Sequence, residues 1–225
     1  MPRNKYPEET IKKILDTSLQ LFLEKGFEQT TVLDIVDNLG GLTRGAFYHH
    51  FKSKDEVLEA ILDRDSDERN MYEKIKHVKA LNGLERLKLA LKLALNANVE
   101  NEQRIAVSSL VISLLSNPRF LAEHIKATQE DAKQIASLLD EGMADGSIKQ
   151  GNPKIIAELF LLLVNIWMMP NIYPCDGDEM LAKTNIIKQI FAGLGYHFID
   201  EELSDLFQNV FEKLINEQSG FAALQ

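Results

Sequence analysis

A chain of 225 residues, 45% hydrophobic and 26% charged, has the make-up of a soluble globular protein and a length that allows one or two domains. Its single cysteine, Cys175, excludes an internal disulfide framework and fits a reducing cytoplasm. The net charge of −9 argues at first against a nucleic-acid partner, so the distribution of that charge matters more than its sum.

The opening, MPRNKYPEET, is basic but lacks the apolar region of a secretory signal. Residues 1–6 read as a solvated arm, with Arg3 and Lys5 in reach of a phosphate or a minor groove if DNA is bound. Pro7 suits the first turn of a helix. Ile11, Ile14, Leu15, Ser18, Leu19 and Phe22 then form a helical stripe, which Gly26 ends. Thr31 stands three residues before Asp34, a capping-box spacing. Val32, Ile35, Val36 and Leu39 follow at i, i+3, i+4 and i+7, one apolar face of a two-turn helix. Gly40-Gly41 stops it, because glycine takes the left-handed backbone that ends helices and makes tight turns. Thr43 caps a second short helix, Arg44 to His50, whose Ala46, Phe47 and Phe51 face inward. Ser53, with Glu56 at the capping-box position, starts a third that stays helical to about His77. Val57, Leu58, Ile61 and Leu62 close a small core, and the highly charged stretch Asp63 to Lys76 reads as a solvated connector.

Asn82, with Glu85 three residues on, caps a helix that runs to about Val99. Leu84, Leu87, Leu91, Ala94 and Leu95 make one apolar face and Leu89 and Leu93 another, the pattern of a helix central in a bundle. Residues 103–115 form a shorter apolar helix. Asn117-Pro118 and Asn152-Pro153 are matching punctuations, each an N-cap with proline at the first helical position. The first opens a long helix to about Ala144, which Gly146 helps to end. The second opens Lys154 to Met169, ended by Pro170. The apolar run Leu159 to Met169 is too short for a bilayer span and contains Asn165, so no membrane segment is expected. A loop with Pro174, Cys175 and Gly177 precedes helices near Asp178–Leu194 and Glu201–Gln218. The expected fold class is all-α, with about nine to ten helices and no strand, repeat or low-complexity segment.

Two short helices joined by a glycine turn, the second carrying Thr43, Arg44, Tyr48 and His49, read as a helix-turn-helix for the DNA major groove. The stretch resembles the N-terminal DNA-binding signature of TetR/AcrR-type transcriptional regulators. The resemblance rests on Thr30-Thr31, Asp34-Ile35-Val36, Gly41, Thr43-Arg44-Gly45, Ala46 to Phe51, Lys54 and Leu58. Ile14-Leu15, Leu21-Phe22 and Lys25-Gly26-Phe27 in the preceding helix also match. Gly40 departs from it, standing where such regulators more often carry alanine. The match covers roughly residues 8–62, about a quarter of the chain. It implies a three-helix DNA-binding domain over residues 1–54, a connector helix over about 54–77, and a ligand-binding and dimerisation bundle over 55–225. Residues 1–54 hold eight Lys and Arg against seven Asp and Glu, a net +1 that leaves −10 for the remainder. A near-neutral head on an acidic body is compatible with DNA binding, with modest non-specific affinity.

Thr43 and Arg44 are the best base-contact candidates: arginine can bond guanine O6 and N7 together, and threonine can touch a thymine methyl. Gly45 lets the backbone approach DNA closely, and Tyr48 and His49 can reach a phosphate or a base. By resemblance Thr31, Tyr48 and Lys54 hold phosphates, although Thr31 also serves as a cap and Arg44 can instead form a surface salt bridge. Adjacent helical residues diverge by about 100°, so the His49-His50 pair poorly shares a metal ion, and no metal or cofactor is expected.

The resemblance further implies a small-molecule effector among the middle helices and a homodimer through the last long ones. Phe120, His124, Met143, Phe160, Trp167, Met168 and Tyr173 are pocket candidates, set against the plainer reading that aromatic and Met residues at helical spacing are core. The helix from 154 to 169 and Met180, Leu181, Ile186, Ile187, Ile190, Phe191 and Leu194 are candidates for a four-helix dimer interface. The expected function is a repressor released from a pseudo-palindromic, double-stranded operator by its ligand. The alternative is an all-helical binding protein or enzyme with a degenerate head. No Gly-rich phosphate loop, His-Glu-x-x-His or paired-Cys spacing favours an enzyme.

Overall fold

The computed structural model describes residues 7–63, 75, 78 and 80–222, and within these the chain is ten α-helices and one π-helical turn, with no strand. The helices are α1 (Pro7–Lys25), α2 (Val32–Asn38), α3 (Arg44–His50), α4 (Lys54–Asp63), α5 (Gly83–Ala97), α6 (Glu102–Leu114), α7 (Pro118–Ala144), α8 (Pro153–Leu162), α9 (Gly177–Gly193) and α10 (Glu201–Ala222). The arm at residues 1–6 and nearly all of the charged connector lie outside the described residues. At the end of the connector Ile75 is buried in the body.

The caps form as their spacing predicts. Thr31 and Asp34 make a reciprocal box at α2, Thr43 accepts from the Ala46 N–H at α3, and Asn82 and Glu85 make a second box at α5. Gly40 and Gly41 both take positive φ, +58° and +99°, which turns the chain between α2 and α3. At α4 the box is displaced. The Ser53 hydroxyl accepts from the Glu56 N–H, but the Glu56 carboxylate reaches back to the Lys52 N–H instead of that of Ser53.

Two apolar cores result. The head core gathers Ile14, Leu15, Leu19 and Phe22 of α1 with Ile35, Leu39, Phe47, Phe51, Val57, Leu58 and Ile61. It also takes in Val107, Leu110 and Leu114 of α6 and Phe120 of α7, so two body helices complete it. The body core is centred on α7, which buries Ala132, Ile135, Leu138, Leu139 and Met143 against α5 and α8. α10 lies across α5, α6 and α9, inserting Leu203, Phe207, Val210 and Phe211. Its N-terminal carboxylates are tied by Lys88 to Asp200 at 2.9 Å, Lys92 to Glu202 at 2.5 Å and Lys188 to Glu201 at 2.5 Å.

Two expectations change. Of the apolar faces of α5, Leu87, Ala90 and Leu91 are buried, Leu89 is half-buried and Leu93 faces outward, so the helix is covered on one side and not all round. The helix opened by Asn152-Pro153 does not run regularly to Pro170. After Leu162 it widens into a π turn, Leu163–Trp167, closed by the Met168 N–H donating to the Leu163 carbonyl at 3.0 Å. The sequence hides this because Leu159 to Met169 is apolar at every position but Asn165, so a shift of phase leaves no mark on its pattern.

Where α5 meets the end of α7 the backbones touch. A Cβ on Gly83 would lie 2.2 Å from the Gly142 Cα, so this crossing requires glycine. Around it the Gly83 N–H donates to Asp145 Oδ2 at 2.6 Å, the Leu84 N–H to Ser147 Oγ at 3.0 Å, and Arg86 pairs with Glu141 at 2.6 Å. At its other end α7 meets α6 across a short break where the two helices bend by 117°. No single helix among the described residues is long and apolar enough to cross a membrane.

Candidate nucleic-acid interface

α3 divides cleanly. Phe47 is fully buried at the centre of the head core, while Thr43, Arg44, Gly45, Tyr48 and His49 are exposed. The Arg44 guanidinium lies 5.8 Å from the centroid of the Tyr48 ring one turn on, a cation–π contact that holds both side chains on the outer face. Among the described residues Arg44 makes no ion pair, so its charge is not neutralised within the head. A Cβ added at Gly45 would meet only the Thr43 hydroxyl, at 3.8 Å. Nothing inside the head needs glycine at this helical position, where it costs about 0.5–1 kcal/mol relative to alanine. His50 is half-buried; that burial, and then the neighbouring His49, push its imidazole below its usual range.

Thr31 and Lys54 lie at the start of α2 and of α4. Thr31 is fully engaged as a cap: its hydroxyl accepts from the Asp34 N–H at 3.1 Å and donates to Asp34 Oδ2 at 2.6 Å. Lys25, then Thr31, hold the Asp34 carboxyl well below the usual carboxylate range. Lys54 Nζ donates to the Phe27 carbonyl at 2.6 Å and the Glu28 carbonyl at 3.0 Å, and sits 4.5 Å from the centroid of the Phe27 ring. The ammonium that the resemblance assigns to phosphate thus also organises the turn between α1 and α2. Spacing in sequence gave no sign of this, since 26 or more residues separate the partners.

The pocket candidates do not converge on one place. Phe120, 8% exposed, packs in the head core edge-on to Phe27, with ring centroids 5.4 Å apart. Met143 is buried near the far end of α7. Phe160 is the hub of an aromatic cluster with Phe191, Phe198 and Phe207. Met168 lines a small apolar cavity with Val164, Thr184, Ile187, Ile199 and Phe207; its free volume, about 10 Å³, is the room of one water at most. His124 Nε2 is 2.9 Å from the Asn165 carbonyl in the π turn; as a carbonyl only accepts, this nitrogen carries the proton. Trp167 and the exposed Tyr173 are held from one side by Lys183, whose ammonium donates to both their carbonyls at 3.1 Å and lies over both rings.

The expected interface helices divide as well. Met180, Ile187 and Phe191 of α9 face the body core. Ile155 and Leu162 on α8, Leu181, Ile186 and Ile190 on α9, and Leu194 at the C-cap of α9 point outward, 36% to 60% exposed.

The model for bacterial regulatory proteins of the tetR family matches residues 14–61. Over 139 residues the chain is 30% identical to the HTH-type transcriptional repressor KstR2 of Mycolicibacterium smegmatis, a match that covers 61% of this chain and 66% of that protein. Over 55 residues it is 46% identical to the HTH-type transcriptional regulator SrpR of Pseudomonas putida, covering 24% and 25% of the two chains. The chain thus spans just under two thirds of the first relative and a quarter of the second. The fold is shared with the SmeT–triclosan complex, with a TM-score of 0.60 at 23% identity over 81% of this chain and 91% of that one.

Proposed function

The chain belongs to the TetR family of bacterial regulatory proteins, and from that premise we propose that it is a transcriptional repressor that a small molecule releases from a pseudo-palindromic operator. The observation that carries this reading is the outer face of α3, where Thr43, Arg44, Gly45, Tyr48 and His49 stand exposed on a helix anchored from behind by Phe47. Arg44 reads a guanine edge, Thr43 an adjacent base, and Thr31, Tyr48 and Lys54 set the register on phosphates. Residues 1–54 form the DNA-binding unit and 55–225 the ligand-binding and dimerisation unit, with the stretch from about 54 to 77 as connector.

A single helix in the major groove reads few base pairs, and a two-fold dimer reads two half-sites about 34 Å apart. The outward apolar residues of α8 and α9 support a homodimer through these helices, since they otherwise leave a hydrophobic stripe in water. The effector is predominantly apolar, in keeping with the Phe160 cluster and the Met168 cavity. Because that cavity has room for no more than a water, binding must separate helices, and that movement favours a spacing of recognition helices that misses one half-site. The solved relative SmeT is seen with triclosan, which supports a small-molecule effector class.

Selection from random duplex DNA with the purified protein tests the reading. A selected, palindromic site whose affinity falls steeply with salt is expected. Replacing Arg44 with Ala should cost ~1–3 kcal/mol of discrimination at one base position. Binding that is indifferent to sequence would overturn the assignment.

A further inference from the structure

The head is joined to the body by more than the chain that connects them. Three residues of the head meet three residues at the start of α7. Asn117 Nδ2 donates to Glu28 Oε1 at 2.7 Å. Arg119 Nη1 donates to Asp55 Oδ1 at 2.8 Å. The ring of Phe120 stands edge-on to that of Phe27, with an interplanar angle of 89°. On the head side these contacts are linked again, because Lys54, next to Asp55, holds the carbonyls of Phe27 and Glu28 and lies over the Phe27 ring. The joint therefore grips the turn at 27–28 and the first residues of α4 together, three residues from Thr31.

The gripping element is stiff. Asn117 Oδ1 caps α7 by accepting from the Arg119 N–H at 2.9 Å, so the same side chain ends the helix and holds the head. With 27 residues α7 is roughly 40 Å long, and its later turns are the centre of the body core. It also touches the π turn through His124 and Asn165. A shift of α7 anywhere in the body must appear at its first turn.

We propose that Asn117, Arg119 and Phe120 are positioning residues for DNA affinity: from the start of α7 they set the 27–28 turn and the α4 N-terminus, and through them the phosphate contacts of Thr31 and Lys54. The proposal rests on the DNA-binding reading. It adds a second route between body and head, separate from the charged stretch before Ile75.

The test is a double-mutant cycle on the full chain, read as affinity for the selected operator duplex. Asn117→Asp keeps a good N-cap but replaces the donor to Glu28 with a second carboxylate. It should weaken operator binding ~5-fold, an interaction of the size found between residues in contact. Adding Glu28→Gln restores a donor–acceptor pair, and affinity should return to that of Glu28→Gln alone. Amide exchange at Thr31 and Glu56 should quicken in Asn117→Asp and recover in the double variant. Arg119→Gln, which frees Asp55, should act in the same direction as Asn117→Asp. Unchanged operator affinity in both single variants, or no recovery in the double one, would overturn the proposal while leaving the DNA-binding reading intact. Failure of the unaltered protein to select any DNA would remove both.

Discussion

α7 is fastened to its neighbours at both ends, and by different means. At the body end, backbone meets backbone: Gly142 leaves no room for a Cβ on Gly83, and Arg86 pairs with Glu141 with both side chains largely covered, 20% and 33% exposed. At the head end, side chains do the holding, and the Arg119–Asp55 pair is open to water at 57% and 40%. An exposed, solvent-screened pair contributes little and is readily broken and remade, whereas a close-packed crossing has no slack. One end is a fixed base and the other a releasable grip, the arrangement a regulator needs if movement in the body is to reach DNA.

The largest effect should come from the fixed end. Gly83→Ala puts a carbon where Gly142 already lies, so α5 and α7 must part, at a cost of about 1–3 kcal/mol or more in denaturant unfolding. An unchanged midpoint would mean that the crossing has slack after all, and the contrast would fail. The two Asn-Pro starts offer a finer comparison. Asn117→Ala and Asn152→Ala each remove an N-cap and should each cost about 1 kcal/mol of stability. Only the first should also lower operator affinity, because Asn152 caps its own helix at Ile155 and Asn117 holds Glu28 besides. The smallest effect is one of pH. The Ser147 hydroxyl, then the Gly83 N–H, hold the Asp145 carboxyl below the usual carboxylate range. A depressed pKa gives stability that is full above the ordinary aspartate value and is lost as pH falls through the lowered one. Thermal midpoints followed into acid should fall more steeply in the unaltered protein than in Asp145→Asn.

What could be read from the sequence was what is local. Thr31 with Asp34, Asn82 with Glu85 and the Gly40-Gly41 turn act within four residues, and all form as their spacing says. The exposed face of α3 was legible for the same reason, since Phe47 fixes which side is inside. Phe120 shows the limit. Helical period places it on an apolar face but cannot say which of two cores that face meets, and its partner Phe27 is 93 positions earlier in the chain. The Lys54 contacts and the Gly83–Gly142 crossing were hidden likewise. Asp176, which caps α9 in a box with Glu179, was local and was missed because Gly177 after it read as loop.

The π turn at Leu163–Trp167 has a bearing on how this chain should be compared with others. A π turn is an ordinary helix that has accepted one residue too many without unwinding. Everything after it, from Met168 into the loop before α9, is turned by about 100° from where an unbroken helix would carry it. A relative that lacks this surplus residue would present a different side of the same helix to its ligand while aligning almost perfectly. The single gap such an alignment needs is thus a change in which side chains the end of the helix presents, written as the smallest possible difference in length.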